Sequence, residues 1–213
     1  MSQIPDYQFF DVLPKEIVDK CISYYDSIGS YRSETMQKAS PGESLEWVMP
    51  FLKEHFPIGK FLGGNYYKHS IAYLPHTDHQ PEWGASSVNI VLPLWYTGTP
   101  ASLVVFDQWW DGDPVTWTMI HKPRPGVISS STNGQLQGLP GNYEIHNKTG
   151  EEMEHHFWAQ HLQYPKECYK ELSGDAFPFT PGSAIMFDNT KIHCTSKFIG
   201  TKLGLSLRFT YEG

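Results

Sequence analysis

Six short apolar segments that resemble β-strands recur along the chain from about residue 65 onward. They cover residues 65–74, 86–95, 101–106, 115–121, 183–188 and 203–211. A strand that is apolar on one face must cover that face with another sheet or with a helix, so many short strands are typical of sandwiches and barrels. The pattern predicts a β-sandwich or an open barrel.

Two helices are predicted ahead of these strands. Residues 14–28 carry apolar side chains at helical spacing, and Pro14 suits a first helical turn. A second helix is predicted over residues 43–55, where Pro50 is expected to kink or end it. The expected architecture is therefore mainly β, with a helical N-terminal part over residues 1–58 packed outside the strands.

Composition narrows the class of protein. The 213 residues fit one domain, 1–213, and the formal net charge of −7 without a basic stripe argues against nucleic acid as a partner. The three cysteines are far apart and form no CxxC pair, which argues against a disulfide framework. No apolar run is long enough to cross a membrane. We expect a cytoplasmic protein without a membrane segment, and the oligomeric state is not indicated.

Residues 122–165 differ from the rest of the chain. Pro, Gly, Ser and Asn are followed by a stretch that predicts one short helix near 151–162. Insertions of this length are often lids or substrate-binding loops, and we expect that role here. A second metal site could be read from His79, His121, His146, His155, His156 and His161, but histidines on such a helix more often cover a surface.

The sequence His76-Thr77-Asp78 follows a predicted strand. Residues i and i+2 of an extended chain point the same way, so His76 and Asp78 can present an imidazole and a carboxylate to one metal ion. His193, after a turn and a strand, is the best candidate for a third ligand. Two histidines and one carboxylate are the facial triad of non-haem Fe(II) oxygenases. An HxD triplet alone also arises by chance.

The strand that follows His193 has one apolar and one polar face. Leu203, Leu205 and Leu207 alternate with polar positions that include Lys202 and Arg208. In an arbitrary edge strand such cations would be solvated. Beside a metal histidine, a buried cation is what the far carboxylate of a chelating dicarboxylate needs.

Together these motifs resemble the iron(II)/2-oxoglutarate-dependent oxygenases, in particular their prolyl-hydroxylase-like members. The resemblance runs from about residue 60 to the end, apart from the insertion. It rests on residues 76–78, 181–193 and 201–211. It implies a double-stranded β-helix, also called a jelly roll or cupin-like fold. It also implies Fe(II) held by His76, Asp78 and His193, with 2-oxoglutarate and O₂ as co-substrates.

The resemblance also assigns residues to the co-substrate. Lys202 lies where these enzymes place the cation that grips the far carboxylate of 2-oxoglutarate. Arg208 matches a second cation found in the nucleic-acid demethylase branch, near the chelating end or Asp78. Because Lys202 replaces the arginine usual in that branch, the two cations could exchange roles. Tyr66 and Asn89 match softer positions near the co-substrate.

The reaction implied is hydroxylation of an unactivated C–H bond of a small molecule or a peptide, with succinate and CO₂ as co-products. Halogenating relatives lack the metal-binding carboxylate, so Asp78 favours hydroxylation. Demethylation, desaturation or epimerisation at the same site is the alternative, since these outcomes share ligands. A non-catalytic jelly-roll binding protein is the alternative from a different class.

Overall fold

The computed structural model describes residues 4–30, 36–70, 86–109, 144–146, 152–154, 174–196 and 198–213. They form two helices, α1 (Lys15–Ser27) and α2 (Ser44–His55), and eleven strands. The strands are β1 (Tyr7–Phe9), β2 (Met36–Ala39), β3 (Ile58–His69), β4 (Ser87–Tyr96), β5 (Ser102–Trp109), β6 (Glu144–His146), β7 (Glu152–Glu154), β8 (Gly174–Pro178), β9 (Ala184–Asp188), β10 (Lys191–Thr195) and β11 (Lys202–Tyr211).

Six strands form the larger sheet, in the order β1-β9-β4-β11-β3-β2. All of its neighbours pair antiparallel. A smaller antiparallel sheet has the order β10-β5-β8. The short strands β6 and β7 pair with each other.

The two main sheets face each other across one apolar cluster. Val91 and Phe187 of the larger sheet pack in it with Leu103, Val105 and Phe177 of the smaller sheet. This packing makes the sandwich that the sequence predicts, with the inner faces of both sheets covered.

The helices cover the other face of the larger sheet. Val18 of α1 and Leu52 of α2 belong to the same buried cluster as Ile90, Leu205 and Leu207. Strands β4 and β11 are therefore covered on both faces, and most of their residues are buried. Among the described residues, neither helix is long and apolar enough to cross a membrane.

Both predicted helices are present, but Pro50 does not end the second one. Helix α2 continues through Pro50 to His55. Proline removes one hydrogen bond to the carbonyl four residues earlier, here Glu46. Both Pro50 and Glu46 are exposed, so water can satisfy that carbonyl, while buried Val48 and Leu52 keep the helix on the sheet.

One prediction for the insertion is wrong. Residues 152–154, within the helix predicted near 151–162, form strand β7, whose backbone pairs with β6 in the register Glu144↔Glu154 to His146↔Glu152. Its main-chain hydrogen bonds therefore go to a neighbouring strand rather than along a helix. Apart from β6 and β7, the residues of 122–165 lie outside the described part of the chain, as does the strand predicted at 115–121, so the lid stays a prediction.

Candidate functional site

A pocket opens between the two sheets. It is lined by polar side chains from five strands, together with Tyr67, Val91, Leu103 and Cys194. The polar residues are Lys38, Asn65, His69, Asn89, His193, Thr195, Lys202, Ser206 and Arg208. The strand alternation accounts for this lining, because every second residue of β3 and of β11 points to the inner face.

His193 lies in this pocket on β10 and is buried. Its Nδ1 is 3.2 Å from the backbone oxygen of Lys191. A carbonyl only accepts hydrogen bonds, so this contact requires the proton on Nδ1, which makes Nε2 the nitrogen that can bind a metal ion. This is the tautomer that a metal-binding histidine needs. The Phe187 ring, 4.6 Å away between centroids, holds the imidazole in place.

The other two predicted metal ligands, His76 and Asp78, lie outside the described residues. Within the described part of the chain, no three His, Cys, Asp or Glu side chains come together as a metal site. The described pocket therefore contains one of the three predicted ligands, and the triad remains a prediction.

Lys202 is the most buried cation of the pocket, with 2 % of its surface exposed. Its Nζ donates a hydrogen bond of 2.9 Å to Thr195 Oγ1 and lies 4.9 Å from the centroid of the Phe179 ring. Burial lowers the pKa of Lys202 from 10.5 to about 7, and the nearby Cys194 opposes this shift. No carboxylate among the described residues forms an ion pair with this ammonium group.

The second predicted cation, Arg208, also lines the pocket but has different surroundings. Its Nη1 donates a 3.3 Å hydrogen bond to Asn65 Oδ1. Beside it, the predicted residue Asn89 is fully buried and accepts a 2.8 Å hydrogen bond from Ser206. The structure thus brings Lys202, Arg208 and Asn89 into the pocket that contains His193.

The placement of Tyr66 corrects the sequence analysis. Tyr66 is fully buried on the helix side of the sheet, 5.5 Å from Tyr25 between ring centroids. It does not line the pocket, whereas its neighbour Tyr67 does. The reason is the strand period of two, which sends adjacent tyrosines to opposite faces. A Cβ at Gly204 would collide with the Tyr67 hydroxyl, so Gly204 makes room for this ring across β11.

Five polar pocket residues were missed by the sequence analysis: Lys38, Asn65, His69, Thr195 and Ser206. The alternation of side chains between the two faces of a strand could have identified three of them. Asn65 and His69 are two residues from Tyr67 on either side, and Ser206 lies between the two predicted cations. Lys38 could not be identified in this way, because it reaches the pocket only through the pairing of β2 with β3.

Comparison with known proteins identifies the fold. No protein-family model matches the sequence, and no curated protein matches it either. Solved structures do match. HygX from Streptomyces hygroscopicus, with nickel, 2-oxoglutarate and hygromycin B bound, is 9 % identical with a TM-score of 0.55, covering 97 % of this chain and 82 % of that one. The chain has the fold of a 2-oxoglutarate oxygenase.

Two further solved structures match the same fold. The epimerase SnoN, in complex with Fe³⁺, α-ketoglutarate and nogalamycin RO, gives a TM-score of 0.55 at 11 % identity, covering 97 % of this chain and 78 % of that one. A 2OG-Fe(II) oxygenase family oxidoreductase from Burkholderia pseudomallei gives 0.53 at 7 % identity, covering 98 % and 85 %. The double-stranded β-helix predicted for this chain is therefore confirmed.

Proposed function

We propose that this protein is an Fe(II)/2-oxoglutarate-dependent dioxygenase. The observation that carries the proposal is the buried Lys202 ammonium group with its Thr195 partner, in the same oxygenase-fold pocket as His193. Among the described residues Lys202 has no carboxylate partner, and a buried lysine costs stability unless an anion compensates its charge, so this site is well suited to bind an anion. The far carboxylate of 2-oxoglutarate fits this requirement.

The proposed ligands have side chains of the types that bind an iron ion. Imidazole and carboxylate are donors that Fe(II) accepts, and the tautomer of His193 leaves Nε2 able to coordinate. His76 and Asp78 follow the end of β3 at His69 by seven and nine residues. Seven extended residues span up to about 25 Å, so the segment can reach the pocket. We propose His76, Asp78 and His193 as the ligands.

With iron and 2-oxoglutarate bound, the site would supply O₂ activation for oxidation of a C–H bond. The protein's own groups bind and orient the reactants. Lys202 and Thr195 hold the far carboxylate, while Tyr67 borders the same pocket. The apolar walls formed by Val91 and Leu103 exclude water from the reacting centre.

The outcome we propose is hydroxylation, because Asp78 provides the carboxylate that halogenating relatives lack. A small-molecule substrate is proposed ahead of a peptide, since HygX and SnoN have been crystallised with hygromycin B and nogalamycin RO. Demethylation, desaturation or epimerisation at the same site remains the alternative. A non-catalytic binding protein would have no need for Lys202 and His193 in one pocket.

An anaerobic titration tests the proposal. Fe(II) and 2-oxoglutarate together should produce a weak visible charge-transfer band, and aerobic turnover should release succinate. His193→Ala should abolish both signals without unfolding the protein. Lys68→Met is the matched control, because Lys68 lies on β3 but outside the pocket. A wild-type protein that binds neither Fe(II) nor 2-oxoglutarate would refute the proposal.

A further inference from the structure

We infer that the ion pair between Asp6 and Lys191 positions the imidazole of His193 for metal binding. Asp6 and Lys191 are then positioning residues of the site, although Asp6 lies 185 residues away along the chain. The inference rests on the proposed function, which makes His193 a metal ligand. It extends that function to the segment that precedes β1, ahead of the strands that line the pocket.

The orientation of His193 depends on the main chain two residues earlier. Its Nδ1 lies 3.2 Å from the backbone oxygen of Lys191. A hydrogen bond from one ring nitrogen sets both the rotation of the imidazole and the nitrogen that is left for the metal ion, so such partners contribute to metal affinity. A shift of the Lys191 carbonyl would therefore redirect Nε2 of His193.

The pairing of β10 with β5 is irregular at this carbonyl. Lys191 pairs with Trp109, whereas His193 pairs with Val105. A step of two residues along β10 thus corresponds to a step of four along β5. Such a bulge interrupts the ladder of hydrogen bonds and bends the strand. A contact from outside the ladder can therefore decide where the start of β10 lies.

The side chain of Lys191 makes such a contact. Its Nζ donates a 2.6 Å hydrogen bond to Asp6 Oδ2, and the two side chains are only 18 % and 9 % exposed. The ion pair between Lys15 and Asp19 on α1 is different, because its side chains are 85 % and 55 % exposed. Charges shielded from water are screened less, so the Asp6–Lys191 pair is the one able to fix a main-chain position.

Asp6 is itself held next to the site. Strand β1 begins at the following residue and pairs with β9. On β1, Gln8 donates from Nε2 a 2.8 Å hydrogen bond to the carbonyl of Pro178, at the end of β8. Strand β9 also carries Phe187, whose ring packs against the imidazole of His193. The same strand therefore places both the ring beside His193 and the segment that holds Lys191.

Two measurements on the full-length protein test the inference. The first is the fraction of His193 imidazole that carries its proton on Nδ1, read from nitrogen NMR shifts of the metal-free protein above the ordinary histidine pKa, with His193→Gln to assign the signal. The second is the affinity for nickel(II) in the presence of 2-oxoglutarate, measured by calorimetry. Asp6→Asn and Lys191→Met should each lower both quantities, with nickel affinity falling about tenfold.

Three further variants separate positioning from a general loss of stability. Lys191→Arg should restore both quantities, because a guanidinium group can also pair with Asp6. The double variant Asp6→Asn/Lys191→Met should be no worse than either single variant, since both act through one ion pair. Asp19→Asn is the matched control. It removes the exposed pair with Lys15 and should change neither quantity.

The outcomes distinguish this inference from the proposed function. Asp6→Asn and Lys191→Met proteins that lose thermal stability but keep the wild-type proton position and nickel affinity would overturn the inference. A wild-type protein that binds neither nickel(II) nor 2-oxoglutarate would refute the proposed function. In that protein the proton position would still test the ion pair: a change in Asp6→Asn would support the link to His193, and no change would overturn it.

Discussion

The two faces of strand β11 bury different kinds of side chain. On the helix side, Leu203, Leu205 and Leu207 are fully buried among apolar side chains. On the pocket side, the same strand presents Lys202, Ser206 and Arg208, which are almost as buried but polar. Burial of apolar groups stabilises the fold, whereas burial of polar groups costs free energy unless a partner compensates. The helix side therefore stabilises the fold, whereas the polar pocket side costs stability, and we propose that its residues are there for binding.

The largest effect should come from the helix side. Leu205→Ala removes a fully buried side chain from the cluster shared with the helices and should lower the free energy of unfolding by about 2–5 kcal/mol. The adjacent Ser206→Ala loses only the hydrogen bond to Asn89, about 0.5–1.5 kcal/mol. Urea denaturation of both variants measures the difference. Equal losses would show that the two faces contribute alike.

Lys202→Met should raise the stability of the protein and lower its affinity for 2-oxoglutarate. The substitution replaces a buried ammonium group with an apolar side chain of similar length, so the protein without ligands should become more stable. Affinity for 2-oxoglutarate should fall by about 10- to 150-fold, corresponding to a lost charge-assisted bond of about 1.5–3 kcal/mol. Thermal unfolding and a 2-oxoglutarate titration of the same variant measure both changes.

A Lys202→Met protein that was less stable and bound 2-oxoglutarate normally would contradict this prediction. Arg208→Met is the matched control, because Arg208 lies on the same face and keeps its Asn65 contact away from Lys202. We expect its 2-oxoglutarate affinity to change less than that of Lys202→Met.

Alternation along β11 was sufficient to predict its two faces from the sequence. The same rule could not choose between Tyr66 and Tyr67, because adjacent tyrosines carry no information about which face is buried under the helices. That choice depends on the register of β3 against β11, where Leu205 pairs with Tyr66 and Gly204 with Tyr67.

Short edge strands were harder to predict. Strand β2 has only four residues, and β8 includes Gly174 and Pro178, which are typical of turns. Long-range pairing creates these strands. For that reason Lys38, which β2 brings to the pocket, carried no local signal of its own.

The pH dependence of both stability and binding should follow Lys202. Burial lowers its pKa to about 7, while the unfolded chain keeps a value near 10.5. Between these values the unfolded state binds more protons, so the free energy of unfolding should rise with pH from about 7 to 10.5. If 2-oxoglutarate binds the charged form, its affinity should fall by about tenfold per pH unit above 7.

Urea denaturation and 2-oxoglutarate titrations between pH 6 and 10 measure the two slopes. Subtracting the corresponding Lys202→Met curves removes the contributions of all other groups. A difference curve that is flat over this range would mean that Lys202 remains charged without ligands.

The smallest effects should separate Tyr66 from Tyr67. Both tyrosines are buried on β3, but Tyr66 packs against Tyr24 and Tyr25 under the helices, whereas Tyr67 lies over Gly204 in the pocket, near Lys202. Tyr67→Phe should therefore reduce 2-oxoglutarate affinity by about 2- to 12-fold, the value of one neutral hydrogen bond. Tyr66→Phe should leave that affinity unchanged, because its hydroxyl is on the wrong side of the sheet. Titrations of the two variants side by side measure the contrast. A loss in Tyr66→Phe with none in Tyr67→Phe would mean that the co-substrate contacts the helix side of β3, which would reverse the roles of the two faces.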